Sequence, residues 1–138
     1  MSGISQTNIG IQPAGSSQVS VSAGLLSTGT GQTIVTGQQQ PAAPAANTET
    51  TIIAAGGKSL YVTQFSFVAQ NAAGCDIVIE DGAGGTQVYK FWWPVTATAG
   101  QPLIFVFPSP LKFATGMVLK NIAAISSFYY CSAVGYTQ

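Results

Sequence analysis

The stretch Thr86-Gln87-Val88-Tyr89-Lys90-Phe91-Trp92-Trp93-Pro94 limits the fold more tightly than any other. Side chains two residues apart share a face of a β-strand. Tyr89, Phe91 and Trp93 therefore form one wholly aromatic face. Val88, Lys90 and Trp92 form the other, which a charge and a tryptophan mark as half-exposed. Gly82, Gly84 and Gly85 make a turn before the strand, and Pro94 stops it. An aromatic face of this size must be covered, so the chain needs partner strands and a second sheet.

The sequence from Glu49 onward supplies both. Residues 50–55 read as a strand ended by Gly56-Gly57. Residues 59–69 alternate over a long run: Tyr61, Thr63, Phe65 and Phe67 share one face, with Phe65 and Phe67 facing inward, and Leu60, Val62, Gln64, Ser66 and Val68 share the other, where Gln64 and Ser66 face water. Residues 75–81 place Cys75, Ile77 and Ile79 inward, and Asp76, Val78 and Glu80 outward. Residues 102–107 are apolar on both faces, as in a strand that is covered twice. Pro108-Ser109-Pro110 predicts a rigid extended connection. Residues 111–113, 117–122 and 127–136 complete the strands. No stretch has the i, i+3, i+4, i+7 apolar spacing of an amphipathic helix. Short strands at turn-marked intervals predict an all-β sandwich or barrel.

Residues 1–48 differ in kind. They contain no charged and no aromatic side chain; the first carboxylate is Glu49 and the first aromatic is Tyr61. Their content of Ser, Thr, Gly, Gln and Ala offers little apolar surface against the entropy of ordering. Residues 38–46 read as a linker by composition. The segment is read as an extended N-terminal arm that neighbouring subunits hold in place. Val19, Val21, Ile34 and Val35 are its candidate contacts, adding strands to a neighbour's sheet edge. The other reading is a pair of short strands packed on the arm's own domain. The domain division expected is thus an arm over 1–48 and a sandwich over 49–138.

Charge decides which functions are excluded. Of 138 residues, 46% are hydrophobic and 6% are charged, and the net charge is zero. Soluble domains average roughly 25% charged residues. So uncharged a surface favours association with other proteins. The four lysines (Lys58, Lys90, Lys112 and Lys120) are scattered and no arginine is present, which argues against nucleic acid as a partner. No run reaches the roughly 18–20 apolar residues of a membrane span. The amino terminus lacks the basic start and apolar core of a secretory signal, so synthesis in a cytoplasm is expected.

Chemistry finds little to work with. There is no histidine, and Glu49, Asp76, Glu80 and Asp81 are the only carboxylates. General acid–base catalysis and His-based triads lack their parts, so no enzymatic activity is expected. Cys75 and Cys131 without histidine do not make a zinc site; they are read as two buried free thiols, with a disulfide across paired strands as the alternative that sequence does not decide. Asp76, Glu80 and Asp81 could be assembled into a calcium site, but a solvated strand face and a turn aspartate explain them. No cofactor is expected. Trp92, on the Lys90 face, is the aromatic best placed to anchor a partner, with core filling as the plain alternative.

At the level of pattern, the chain resembles a known family. The run from Thr50 through Ile52-Ile53-Ala54-Ala55-Gly56-Gly57-Lys58 into Leu60-Tyr61-Val62 is similar to the opening of small β-sandwich structural proteins of tailed bacteriophages, with shorter spacing here. Pro108-Ser109-Pro110 followed by Phe113-Ala114-Thr115-Gly116-Met117-Val118-Leu119 resembles their approach to the penultimate strand, and Gly135-Tyr136 fits their close. The likeness covers about residues 50–138 and none of the arm. It implies a jelly-roll-like antiparallel sandwich that decorates, or cements, the exterior of a capsid. The implied partners are the major capsid protein and neighbouring copies in a homo-oligomer, with a trimer favoured. Similar modules occur in tail fibres, so a receptor- or carbohydrate-binding module is the alternative. A pilus-like subunit using donor-strand exchange is a further one.

Overall fold

The computed structural model describes residues 20–22, 25–27, 31–95 and 101–138. The described residues are strands and turns without helix, in two antiparallel sheets. The strands are β1 (Ser20–Ser22), β2 (Leu25–Ser27), β3 (Thr33–Gln39), β4 (Thr48–Ala54), β5 (Leu60–Gln70), β6 (Cys75–Asp81), β7 (Thr86–Trp93), β8 (Leu103–Phe113), β9 (Gly116–Asn121) and β10 (Phe128–Thr137). The larger sheet runs β1-β2-β3-β10-β5-β8 and the smaller β4-β9-β6-β7. The chain crosses repeatedly between the two, and β3 to β10 follow the strand order of a jelly roll. The expected all-β sandwich with jelly-roll character is the architecture found.

The boundary at residue 49 is corrected. β3 pairs with β10 over seven residues, from Gln39 opposite Cys131 to Thr33 opposite Thr137, and so is an inner strand of the larger sheet. Val35 packs against the core. At Gly37 a Cβ would overlap the carbonyl oxygen of Ile52, because β3 passes tightly over β4 there. The expected linker is also tied down. Ala43 N–H donates to Ser127, Ile125 N–H donates to Pro44, and Tyr129 N–H donates to Pro41. The Asn121 side chain donates to Ala45 at 2.7 Å. The segment's own apolar content is too small to order it, but β10 supplies a ladder and a covered face. Residues 1–19 lie outside the described residues.

Aromatic rings fill the space between the sheets. Phe67, fully buried, lies 5.3 Å from Phe91, 5.1 Å from Trp93 and 5.4 Å from Tyr129, centroid to centroid. Phe105 stands 5.0 Å from Phe91 and 5.6 Å from Tyr89. Tyr89, Phe91 and Trp93 thus point inward, as the alternation requires, and edge-on and tilted pairs of this kind add to plain burial.

Two expectations about strand faces fail for identifiable reasons. In β5, Leu60 and Val62 point inward together with Phe65 and Phe67. An extra residue, Thr63, sits between Val62 and Gln64 against β10; against β8 the register breaks at the same place, with the surplus residues on β8. Such a bulge resets the two-residue alternation. The second concerns residues 102–107, expected to be covered on both faces. β8 is an edge strand, and Ile104 and Val106 are 60% and 67% exposed. Pro108 and Pro110 lie within β8, where its register against β5 jumps from Leu111 to Val106. Prolines lack the N–H that an inner strand would need, so an irregular edge is where they fit.

Asp81 fastens one end of the sandwich. Its carboxylate accepts main-chain N–H groups from Ala114 at 2.8 Å, Thr115 at 2.7 Å and Gly116 at 3.3 Å. Burial pushes the carboxyl upward, but the three donors outweigh it and hold it below the ordinary carboxylate value. A carboxylate with a lowered folded-state value stabilises above its unfolded value and loses that contribution as pH falls through the folded one. Asp81→Asn is therefore expected to cost about 1–2 kcal/mol at neutral pH, since Asp81 is partly solvated. Urea midpoints should show the gap from wild type closing below about pH 4. Equal midpoints at pH 7 would remove the carboxylate from this account.

Candidate interaction surface

Each sheet has an outer face, and the two differ sharply in charge. On the smaller sheet, Glu49, Lys120, Val78 and Lys90 form one rung across β4, β9, β6 and β7. Asp76 binds Lys90 at 2.8 Å, and Glu80 lies 3.6 Å from Lys120. Gly84, in the β6–β7 turn, donates its N–H to Glu49 on the far edge strand. That reach draws the turn across the sheet and accounts for the burial of Val118 and Glu80 on an outward face. Five of the eight charged residues stand here, already partnered or bent over the surface. They do not build a metal site: no group of three or more His, Cys, Asp or Glu could hold an ion among the described residues.

The outer face of the larger sheet is built otherwise. Three rungs cross β3, β10, β5 and β8: Ile34–Tyr136–Tyr61–Lys112, Thr36–Val134–Gln64–Val106 and Gln38–Ser132–Ser66–Ile104. Lys112, at one corner, is their only charged member, and its ammonium stands 5.8 Å from the Tyr61 ring. Tyr61 and Tyr136 stack at 5.1 Å. The Ser66 and Ser132 hydroxyls share a 2.7 Å hydrogen bond, and the Tyr130 hydroxyl donates to Gln38 at 2.8 Å. These bonds satisfy polar groups within the face. Toward solvent the face shows the aliphatic Ile104 and Val106, with Val134 at 39% exposure, beside the uncharged Thr36, Gln38 and Gln64 and the Lys112 side chain.

The contact residues expected from sequence fall in different places. Val19 lies outside the described residues. Val21 is in β1, opposite Leu26 of β2. Ile34 lies on the uncharged outer face, whereas Val35, one residue on, turns inward. Ile34 and Val35 are thus members of the sandwich's own sheet. Trp92 is 59% exposed, which rules out core filling. Its indole rests on Gly74, where a Cβ would overlap the ring. It stands on the charged sheet, on the far side of the molecule from the uncharged face.

Sequence reasoning missed Ile104, Val106 and Val134. A doubly apolar run such as 102–107 suggests burial, and only the two flanking prolines hinted at an edge. The cysteines are as expected: Cys75 and Cys131 are buried and unpaired. Burial pushes the Cys131 thiol up to about 12, against a partial lowering by a main-chain hydrogen bond with Gln39. It is poorly ionised, hence unreactive, at neutral pH.

No protein-family model matches the chain, and no curated protein does. Among solved structures, the chain is similar to one from Bacillus endospore appendages, described as a novel family of disulfide-linked pili. That match has 18% identity and a TM-score of 0.45, over 77% of this chain and 89% of the other. It is also similar to a chain of the virus-like particle of the giant freshwater prawn Macrobrachium rosenbergii extra small virus. There the identity is 9% and the TM-score 0.36, over 99% of this chain and 94% of the other. At such levels no residue of either protein carries over, and what this chain does is read from its own surface.

Proposed function

We propose that this protein is a structural subunit of a virion coat, of the decoration or cement type, which works by packing against other subunits and performs no chemistry. One observation carries the reading. The twelve residues of the three rungs on the outer face of the larger sheet hold a single charge, at a corner, while five of the chain's eight charged residues stand on the opposite sheet. A face of that kind gains by being covered and is not repelled by a second protein. In this reading the major capsid protein and neighbouring copies lie against it, on the capsid exterior.

Association should then draw on buried area and vary little with salt, because exposed charge pairs, the interactions salt screens, are absent from the face. Sedimentation of the purified chain at low and moderate salt is expected to show the same associated species. Val134→Glu should dissociate it, since the carboxylate would be desolvated on contact. A wild-type chain that sediments as a monomer at about 0.1 mM, well above a micromolar Kd, would overturn the reading. So would association that collapses as salt is raised.

Trp92 favours a second reading, the fibre-type carbohydrate-binding module. An exposed indole seated on Gly74 beside the Lys90–Asp76 pair could stack on a sugar ring. Glycan-array binding that disappears in Trp92→Ala would select it.

A further inference from the structure

Among the described residues no strand pairs with the outer edge of β8, and this edge adds to what the uncharged face implies. Edge strands are normally protected by charges, bulges or prolines. Edge strand β4 carries Glu49, and edge strand β7 carries Lys90 in its ion pair with Asp76. In β8 the run Leu103-Ile104-Phe105-Val106-Phe107 has no charge, and Pro102 and Pro108 stand at equal distances on either side of Phe105. Its Phe105 faces the core rings, while Ile104 and Val106 stand out into solvent.

We propose that β8 of one copy pairs antiparallel with β8 of a second copy, about a two-fold axis at Phe105. Ile104 then lies opposite Val106 of the second copy, and Leu103 opposite its Phe107. The register follows from two requirements. A shift by one residue would set inward side chains against outward ones. A shift by two would bring Pro102 opposite Val106, or Pro108 opposite Ile104, and put a residue without an N–H into the ladder. Only the register centred on Phe105 sets Pro102 against Pro108 and keeps every proline outside the five paired residues. Both sides of a two-fold contact are the same patch, and this one has no charge to repel itself.

The pairing rests on the assembly-subunit reading and gives it a geometry. Two larger sheets become one continuous sheet, with their uncharged faces side by side. An antiparallel pair joins copies in twos, so a trimer would need a separate contact.

The test uses the full chain. Ile104→Cys and Val106→Cys variants are prepared separately, mixed and oxidised. Residues directly opposite are about 4.5–5.5 Å apart and within disulfide reach, whereas the diagonal same-residue pairs are about 7–8 Å apart. Mixed 104–106 disulfides should therefore exceed same-residue dimers by about fivefold or more. The native thiols do not compete, being buried. Val106→Lys provides a second readout: its side chain is exposed, so folding should survive while self-association weakens about tenfold. Same-residue dimers in equal yield, no disulfide at all, or unchanged association of Val106→Lys would each overturn the pairing. If the wild type still associates in those cases, the structural-subunit reading stands and only the β8 contact falls; a monomeric wild type would end both.

Discussion

A chain starting at residue 49 is expected not to fold, whereas one starting at residue 31 is. The difference is β3 and the segment after it. Cutting at 49 strips β10 of its seven-residue partner and leaves the edge around Cys131, Ala133 and Gly135 open to water. It also removes Val35 from the core and the contacts of Pro41, Ala43, Pro44 and Ala45 with the 121–129 stretch. Folded domains are stable by only about 5–15 kcal/mol, and this loss combines a ladder, a covered face and several satisfied carbonyls. Circular dichroism and urea titration of the two truncations decide the matter. A cooperative transition in the 49–138 chain, near that of the full protein, would return β3 to the status of a dispensable arm. Such a result would also revive the view that all of residues 1–48 serve only a neighbour.

Phe67→Ala should be the most damaging single substitution tested in the core. Phe67 is fully buried, and its ring touches Phe65 on its own strand, Phe91 and Trp93 on β7, and Tyr129 on β10. It therefore bridges both sheets, and its removal leaves a cavity that rings held from two sides cannot collapse into. Phenylalanine-to-alanine changes at such sites cost about 3–5 kcal/mol. Trp92→Ala is the matched control. That side chain is the larger of the two, but it is exposed and lies over Gly74 on the outside of the smaller sheet. Its removal should change stability by less than about 0.5 kcal/mol, as for surface substitutions away from special features. Measured by urea midpoints, similar losses in the two variants would mean that the inter-sheet core is not where the stability resides.

These contrasts bear on how far the sequence could be read. The alternation of Tyr89, Phe91 and Trp93 named an inward face, and the structure packs all three against the opposite sheet. The same rule misassigned Leu60 and Val62, because one additional residue, Thr63, changes the phase within β5. A clue was present, since Leu60 and Val62 are aliphatic and Gln64 is polar on what looked like one face. Thr33-Ile34-Val35 was legible as a short strand, yet its owner was not. A strand of low apolar content borrows its stability from the strand beside it, and that neighbour, β10, is about a hundred residues away in sequence. The candidate surface was the least legible part. An apolar run gives no sign of whether it lies at the centre or the edge of a sheet, so Ile104 and Val106 looked buried.

By itself, then, the sequence determined the all-β class, the two-layer architecture, the inward aromatics, the burial of the two cysteines and the poverty of charge. Those follow from local periodicity and composition, which depend on residues close together in the chain. Strand order, the bulge at Thr63, the place of β3 and the segregation of charge onto one sheet were decided by the tertiary structure. Each of them is set by which distant strands become neighbours, and main-chain hydrogen bonds between strands do not depend on side-chain identity.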